Sequence, residues 1–223
     1  MKTTTIATLV VLALLSGVGD EVTTFADEGH TPIPPEKIQQ LEPQVVEVED
    51  FKADGFVLAI GGGGESVIGQ LKGNQVIAID ISRRELEDAP GDALKIVMDA
   101  RDLKFVDGTF EVAASFFTLM YIDGSDHSKV FDEVFRVLLP GGRFLVWDVV
   151  LEPPADDGKT VVVVPLTVQI PGKEIQTGYG VAFPDRTQDL AYYKRLALAR
   201  GFELVAEHAE GRWFHIAFQK PHP

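Results

Sequence analysis

The sequence predicts an α/β fold in which a doubly wound, mostly parallel sheet ends in an antiparallel C-terminal strand pair. Between Phe56 and Val150, apolar strand-like runs alternate with segments of helical spacing, which is typical of parallel strands joined by right-handed crossovers. Two further strand-like runs, 202–208 and 212–219, are separated by a turn that contains Gly211. The 223 residues are enough for one domain with an appendage.

The composition excludes several classes of function. The chain carries a formal net charge of −14, and phosphate groups would be repelled by so acidic a surface, so nucleic acid is not an expected partner. The chain has no cysteine. Disulfides, thiolate metal sites and a cysteine nucleophile are therefore excluded.

The N-terminus predicts a targeting segment at residues 1–26. Lys2 precedes a mainly apolar run from Ile6 to Val18, which is too short to span a bilayer comfortably and is followed by small residues and acids. This pattern is typical of a secretory signal peptide, and a retained membrane anchor or a buried helix is the alternative. We therefore expect an exported or membrane-anchored protein, with a cytoplasmic location as the alternative. Membrane association is expected only through this apolar segment.

The remaining chain is predicted to consist of a linker and one domain with an insertion. Residues 27–50 contain four prolines, which exclude a long helix and predict a Pro-rich linker with a short helix at 36–41. Residues 51–223 are assigned to the domain. Within it, residues 151–186 are rich in β-formers around the turn Pro171-Gly172 and are predicted to form a substrate lid.

Periodicity places the other elements. Ser82 and Glu85 have the spacing of a helix-capping pair. Strands are predicted at 56–60, 76–79, 95–98, 111–117 and 143–150, and helices at 66–71, 82–88, 128–138 and 187–200.

A glycine-rich turn is the most informative local feature. The apolar strand at 56–60 is followed directly by Gly61 to Gly64, where a ligand could lie against backbone that no Cβ shields. The next strand ends on Asp80, and an acid at that spacing suits the hydroxyls of a ribose. The turn and the acid together predict a nucleoside-containing cofactor, although a tight strand-to-helix turn alone would also explain the glycines.

Several candidate contacts fall at the carboxyl ends of predicted strands. These are Gly61, Asp80, Asp99 and residues 115–118. In open parallel sheets the ligand binds beyond these ends. The pattern therefore predicts that the four positions line one crevice.

Five segments of the chain, in the right order, resemble the motifs of class I S-adenosylmethionine-dependent methyltransferases, in particular the small-molecule and ubiquinone/menaquinone-type branch. The segments are VLAIGGGG at 57–64, VIAIDIS at 76–82, MDARDLKF at 98–105, FEVAASFFTL at 110–119 and FRVLLPGGRF at 135–144. The resemblance implies a Rossmann-like fold, S-adenosylmethionine as cofactor and a small-molecule substrate.

The resemblance also implies roles for residues at matching positions. Gly61 and Gly63 would lie along the methionine part of the cofactor, and Asp80 would bind the ribose hydroxyls. Ile81 would pack on the adenine, and Asp99 with the backbone of Ala100 would bind its polar edge. Ser115 and Phe116 would line the floor near the sulfonium. The apolar lining of the substrate site would come from Trp147, Tyr179, Phe183 and Tyr192.

Catalytic residues are left unknown. A sulfonium methyl is already activated, so the protein must mainly align the acceptor and exclude water. Tyr121, Asp123 and His127 are the candidates for a general base, with His127 expected at the surface or in a cap. Asp123, Asp126 and His127 have residue types that bind metals, but acids also favour a helix N-terminus. We predict no metal site.

Two other functions are open at this point. Ala59 and Glu65 stand where the methyltransferase pattern has an acid and a glycine, and with the predicted signal peptide they favour an exported non-catalytic binding protein. A nicotinamide-dependent oxidoreductase is less favoured, because Ser66 stands where its fingerprint has glycine. The oligomeric state is left open.

Overall fold

A computed structural model describes residues 9–10 and 33–222 of the chain. These residues form two compact units. The seven-stranded unit comprises residues 50–151 and 186–222, and the five-stranded unit comprises residues 9–10, 33–49 and 152–185. The predicted signal peptide at 1–26 lies, apart from residues 9 and 10, outside the described residues.

The elements follow one another along the chain as short strands and helices. The strands are β1 Leu9–Val10, β2 Ile38–Gln40, β3 Gln44–Glu47, β4 Val57–Ile60, β5 Val76–Asp80, β6 Leu94–Val97, β7 Phe110–Phe116, β8 Leu138–Val149, β9 Val161–Ile170, β10 Lys173–Ala182, β11 Glu203–Glu210 and β12 Trp213–Gln219. The helices are α1 Val67–Lys72, α2 Arg83–Asp88, α3 His127–Val137 and α4 Leu190–Leu198. Among the residues described, no helix is long and apolar enough to cross a membrane.

The sheet of the seven-stranded unit confirms the predicted fold class. Its strand order is β11-β12-β8-β7-β4-β5-β6. The five strands from β8 to β6 run parallel, and β12 and β11 are added antiparallel at one edge. The order reverses at β4, so the carboxyl ends of β4, β5 and β7 meet at the position where such sheets bind ligands.

One face of this sheet holds the aromatic core of the unit. The buried residues of helix α3 recur at helical spacing and therefore form one apolar side. This side packs on β8 and β12. The Phe144 side chain is fully buried. Its ring centroid lies 5.3 Å from that of Phe131 and within 6.5 Å of those of Phe202 and Phe218. Burial of these rings supplies much of the hydrophobic stabilisation of the unit.

Helix α4 begins later than the sequence predicts. The predicted helix starts at residue 187, but the backbone of Gln188 pairs with Leu151 in an isolated β-bridge. Asp189 then caps the helix, its side chain accepting the Tyr192 N–H at 2.6 Å. The bridge holds residues 187 and 188 outside the helix, so the first turn starts after the cap.

The five-stranded unit corrects the predicted linker. Residues 33–49 contain a single 3₁₀ turn at Pro35–Lys37 followed by β2 and β3, whereas a short helix was expected at 36–41. Both strands pair in parallel with β9, and β9 forms the predicted hairpin with β10. The β9 residue Pro165 lies between the stretches that pair with β2 and β3, where its missing N–H costs no ladder bond.

We predict that the Phe144→Ala substitution destabilises the protein by about 3–5 kcal/mol, because it opens a cavity among buried rings. The matched control is Phe56→Ala, since the Phe56 side chain is 57% exposed and its loss should cost less than about 1 kcal/mol. Urea denaturation followed by circular dichroism measures both. Equal losses for the two variants would contradict this description of the core.

Candidate functional site

The glycine turn at 61–64 is held between two neighbouring elements. Gly61 and Gly64 have left-handed backbone angles, with φ of 66° and 55°, which glycine adopts without strain. The Gly62 N–H donates to the Ile79 carbonyl at 2.9 Å, and the Gly64 N–H donates to the Glu85 carbonyl at 3.0 Å. The turn is therefore fixed to the end of β5 and to α2.

Packing leaves no room for a side chain at three positions of this turn. An added Cβ would lie 2.2 Å from the Thr118 side chain at Gly61, 2.7 Å from the Ala78 Cβ at Gly62 and 2.5 Å from the Glu85 Cβ at Gly63. Ala59 pairs with Ala78 across β4 and β5. The Ala59 Cβ lies 3.3 Å from the point that a Cβ at Gly62 would occupy. The small side chain at 59 thus allows the turn to lie close to the sheet.

Asp80 ends β5 beside this turn, as the sequence predicts. Its carboxylate accepts the Ser82 N–H at 2.8 Å and also bonds to the N–H groups of Ile81 and Gly63. Burial nevertheless raises the pKa of Asp80 above its usual value, since these backbone bonds only partly oppose the loss of solvent. A carboxylate offers about four acceptor positions. Three backbone donors fix its orientation and leave capacity for a ligand hydroxyl.

The neighbours of Asp80 match the sequence analysis. Ser82 caps α2, with its hydroxyl accepting the Glu85 N–H at 3.2 Å, which confirms Ser82 as the predicted cap. The Ser82 N–H donates to Asp80 and not to the Glu85 side chain. Ile81 is 49% exposed. The structure therefore presents an apolar side chain next to the predicted ribose contact, where an adenine ring could pack.

Asp99 has a partner that the sequence analysis missed. The Arg101 guanidinium contacts both carboxylate oxygens of Asp99, at 2.7 to 3.0 Å, and donates to Asp126 at 2.7 Å. The hydrogen bond from Arg101 is the main reason that the pKa of Asp99 is lowered. Ala100, between them, is buried. The adenine roles of Asp99 and Ala100 stay predictions, and Arg101 would hold Asp99 ionised and oriented for them.

Ser115 and Phe116 differ in their access to the crevice. Ser115 is fully buried, and it pairs with Ile60 and Val146 of the core face. Its hydroxyl is buried and has no hydrogen-bond partner among the described residues, and its role near the sulfonium stays a prediction. Phe116 is 7% exposed and packs beside Phe117, which has an unusual positive φ of 48°. Such backbone strain in a bulky residue is typical of functional loops.

The segment 118–122 after β7 lies against the glycine turn. The Thr118 hydroxyl lies within hydrogen-bonding distance of two backbone carbonyls, 3.2 Å from that of Ile60 and 3.0 Å from that of Phe116. The buried Asp148 carboxylate accepts the Met120 N–H at 3.2 Å. Thr118, Glu85 and Asp148 are not among the predicted site residues. Thr118 and Glu85 contact the turn, and Asp148 contacts the segment after β7. These contacts join distant parts of the chain, so no spacing in the sequence indicates them.

The three candidate bases have surroundings that do not favour proton abstraction. His127 is fully buried rather than at the surface as expected, with Nε2 at 2.9 Å from the Leu119 carbonyl and Nδ1 at 2.9 Å from the Tyr192 hydroxyl. Burial lowers the pKa of His127. Burial also raises the pKa of the Tyr121 hydroxyl well above its usual value. Asp123 is exposed and accepts the Ser125 N–H.

The residue types suggested for a metal do not converge. Asp126 pairs with Arg101 and Lys129, both at 2.7 Å, and the His127 ring nitrogens already have partners. Within the described part of the chain, no group of three or more His, Asp or Glu side chains could hold a metal ion.

Asp148 is a fully buried carboxyl whose pKa is raised to about 7, chiefly by burial. Between the unfolded value of 3.8 and about 7, the folded protein binds more protons than the unfolded chain. Stability should therefore fall as pH rises through this window. The full loss across this window is about 4 kcal/mol.

We predict that Asp148→Asn reduces the fall in stability between pH 4 and pH 7.5, because the amide does not ionise. Denaturant titrations at several pH values measure this slope. Asp102→Asn is the control, since the Asp102 side chain is exposed and pairs with Lys104 at the surface. Identical slopes for the wild type and Asp148→Asn would show that Asp148 does not titrate as described.

Known proteins whose sequences are similar to this chain are named as methyltransferases. The family described as "Methyltransferase domain" matches residues 58–146. Over 60 residues the chain is 45% identical to a sterol 4-C-methyltransferase of Caenorhabditis elegans, covering 26% of this chain and 17% of that protein. It is 42% identical over 86 residues to the ubiquinone/menaquinone biosynthesis C-methyltransferase UbiE of Desulfotalea psychrophila, covering 36% and 33%. The chain thus spans a third or less of the length of these curated relatives.

A solved structure extends the likeness beyond the matched segment. The S-adenosylmethionine-dependent methyltransferase structure from Methanosarcina mazei superposes with a TM-score of 0.57 at 19% identity. The match covers 78% of this chain and 95% of that one, and at this identity it shows the fold alone. Together with the strand order, it shows that the seven-stranded unit has the fold of S-adenosylmethionine-dependent methyltransferases, and residues 58–146 within it are similar to the family described as "Methyltransferase domain".

Proposed function

We propose that the protein transfers a methyl group from S-adenosylmethionine to a small molecule. The observation that carries the proposal is the glycine turn at 61–64 next to the partly buried carboxylate of Asp80. The turn and the carboxylate are joined by the hydrogen bond from Gly63 to Asp80. The family match over residues 58–146 supports the same reaction.

The residues present fit the cofactor at its nucleoside end. Asp80 would accept hydrogen bonds from the ribose hydroxyls, because its carboxylate is held in place by backbone donors and has acceptor capacity left. Ile81 would cover one face of the adenine with an exposed apolar side chain. Asp99, oriented by Arg101, would meet the adenine amine. The backbone of Gly61 and Gly63 would follow the methionine part.

The protein needs to supply little chemistry of its own. The bound cofactor supplies a methyl group on a sulfonium, which is already activated for in-line displacement. The chain must hold the acceptor atom about 3 Å from that carbon, in line and away from bulk water. The strained step at Phe117 and the anchored 118–122 segment would hold this side of the crevice rigid.

The surroundings of the candidate bases favour an acceptor atom that needs no proton removed by the protein. Tyr121, with a raised pKa, would donate rather than remove a proton, and His127 has both ring nitrogens occupied. An acceptor that is already nucleophilic at neutral pH needs no base. The names of the two curated relatives, a sterol and a quinone-pathway C-methyltransferase, support a small organic acceptor. The acidic composition disfavours nucleic acid.

We predict that Asp80→Ala weakens S-adenosylmethionine binding by about 1–3 kcal/mol, as expected for the loss of a charged hydrogen-bond acceptor. Isothermal titration calorimetry of the full chain measures this. Asp88→Ala is the matched control, because Asp88 lies on the same short helix as Glu85 but pairs with Arg84 at an exposed position.

Wild-type affinity in the control and reduced affinity in Asp80→Ala would support the ribose assignment. Equal affinity in all three proteins would place the nucleoside elsewhere. No binding to the wild type, up to millimolar concentrations of the cofactor, would contradict the proposed function as a whole.

A further inference from the structure

We infer that Asp148 and His127 are positioning residues of the donor site, the proposed S-adenosylmethionine site at the glycine turn. Both side chains are fully buried. Their polar atoms meet the backbone of one 3₁₀ turn, Leu119–Tyr121, which follows β7 and is called the 119–121 turn below. The inference rests on the proposed function and adds to it two residues that act through this turn.

Thr118 joins the 119–121 turn to the glycine turn. Its side chain fills the space that a Cβ at Gly61 would need. Its hydroxyl lies 3.2 Å from the Ile60 carbonyl, and its own carbonyl accepts the Tyr121 N–H at 3.0 Å. A shift of the 119–121 turn would therefore move Thr118 and change the wall against which the backbone of Gly61 lies.

Asp148 holds the N–H groups at the start of the 119–121 turn. One oxygen of its carboxyl group accepts the Met120 N–H at 3.2 Å, and the other accepts the Val149 N–H at 2.8 Å. The carboxyl group also accepts the Leu119 N–H. The first N–H groups of a helical turn have no partner within it, and Leu119 and Met120 are buried. Loss of the carboxyl group would leave these donors at a cost in free energy.

His127 holds the carbonyl side of the same turn. Its Nε2 atom lies 2.9 Å from the Leu119 carbonyl, and this atom carries the ring proton because a carbonyl can only accept. Burial lowers the pKa of His127, so the ring is neutral at neutral pH and Nδ1 accepts from the Tyr192 hydroxyl at 2.9 Å. Leu119 is thus held at its N–H by Asp148 and at its carbonyl by His127.

The residue before Thr118 shows why the turn needs this support. Phe117 has a left-handed φ of 48°, which is rare for a bulky residue. Its N–H donates to the Trp147 carbonyl at 2.8 Å, so the chain turns away while it is still joined to β8. A strained residue keeps its conformation only where surrounding contacts determine it. The bonds of Asp148 and His127 to the following residues supply such contacts.

The test compares S-adenosylmethionine binding in matched variants of the full chain. Asp148→Asn keeps the shape of the side chain, but its amide nitrogen cannot accept an N–H. His127→Asn is too short to keep the bond to Leu119, whereas His127→Gln brings an amide N–H to the Nε2 position. Val134→Ala controls for a general loss of stability, because Val134 is fully buried about two turns further along α3.

Calorimetric titration measures the affinities, and thermal unfolding shows that each variant is folded at the temperature of the titration. We expect Asp148→Asn and His127→Asn each to bind about three- to tenfold more weakly than the wild type, as the loss of one or two hydrogen bonds allows. Val134→Ala should bind like the wild type, and His127→Gln should bind more tightly than His127→Asn.

Three results would overturn the inference and leave the proposed function standing. These are wild-type affinity in either Asn variant, a loss in Val134→Ala as large as theirs, and equal affinities of the two His127 variants. If the variants at 127 do not fold, the comparison of Asp148→Asn with Val134→Ala decides. No binding to the wild type would contradict the proposed function, and the role of both residues in the donor site with it.

A measurement without ligand tests the positioning itself. Hydrogen exchange followed by mass spectrometry reports on the amides of residues 61–64 and 118–122. At equal global stability, set with urea, we expect both segments to exchange at least about threefold faster in Asp148→Asn than in Val134→Ala. Equal exchange in the two variants would overturn the inference whether or not the cofactor binds.

Discussion

The close packing of the glycine turn on the sheet is the constraint on which the site depends. Three consecutive positions, 61 to 63, admit no Cβ, because Thr118, Ala78 and Glu85 occupy the space. The same packing brings the Gly63 N–H to Asp80 and the Gly64 N–H to the backbone of α2. The turn therefore joins β4, β5, α2 and the segment after β7 before any ligand is bound.

The core supports this arrangement from the other side of the strands. Asp148 lies inside the aromatic cluster region of β8 and accepts the N–H groups of Leu119 and Met120. His127 holds the Leu119 carbonyl. Two buried polar groups thus fix the segment that carries Thr118 and Tyr121. A buried carboxyl with a raised pKa costs stability at neutral pH, which is the usual cost of placing polar groups next to a functional loop.

The sequence was sufficient for features that depend on neighbouring residues. The alternation of strands and helices, the capping of α2 by Ser82, the turn at Pro171-Gly172 and the position of Asp80 at the end of β5 were all predicted. Long-range contacts were not. The pairing of residues 38–47 with β9, the ion pair from Arg101 to Asp99 and the burial of His127 join distant segments. Local propensity and spacing carry no information on such partners.

The most direct test of the account is a crystal structure of the protein in complex with S-adenosylhomocysteine. We expect the ribose hydroxyls to lie within hydrogen-bonding distance of the Asp80 carboxylate, at about 2.6–3.2 Å, with the adenine on Ile81 and the amino-acid part along the glycine turn. A nucleoside bound at another place, with Asp80 contacting only its backbone donors, would contradict it.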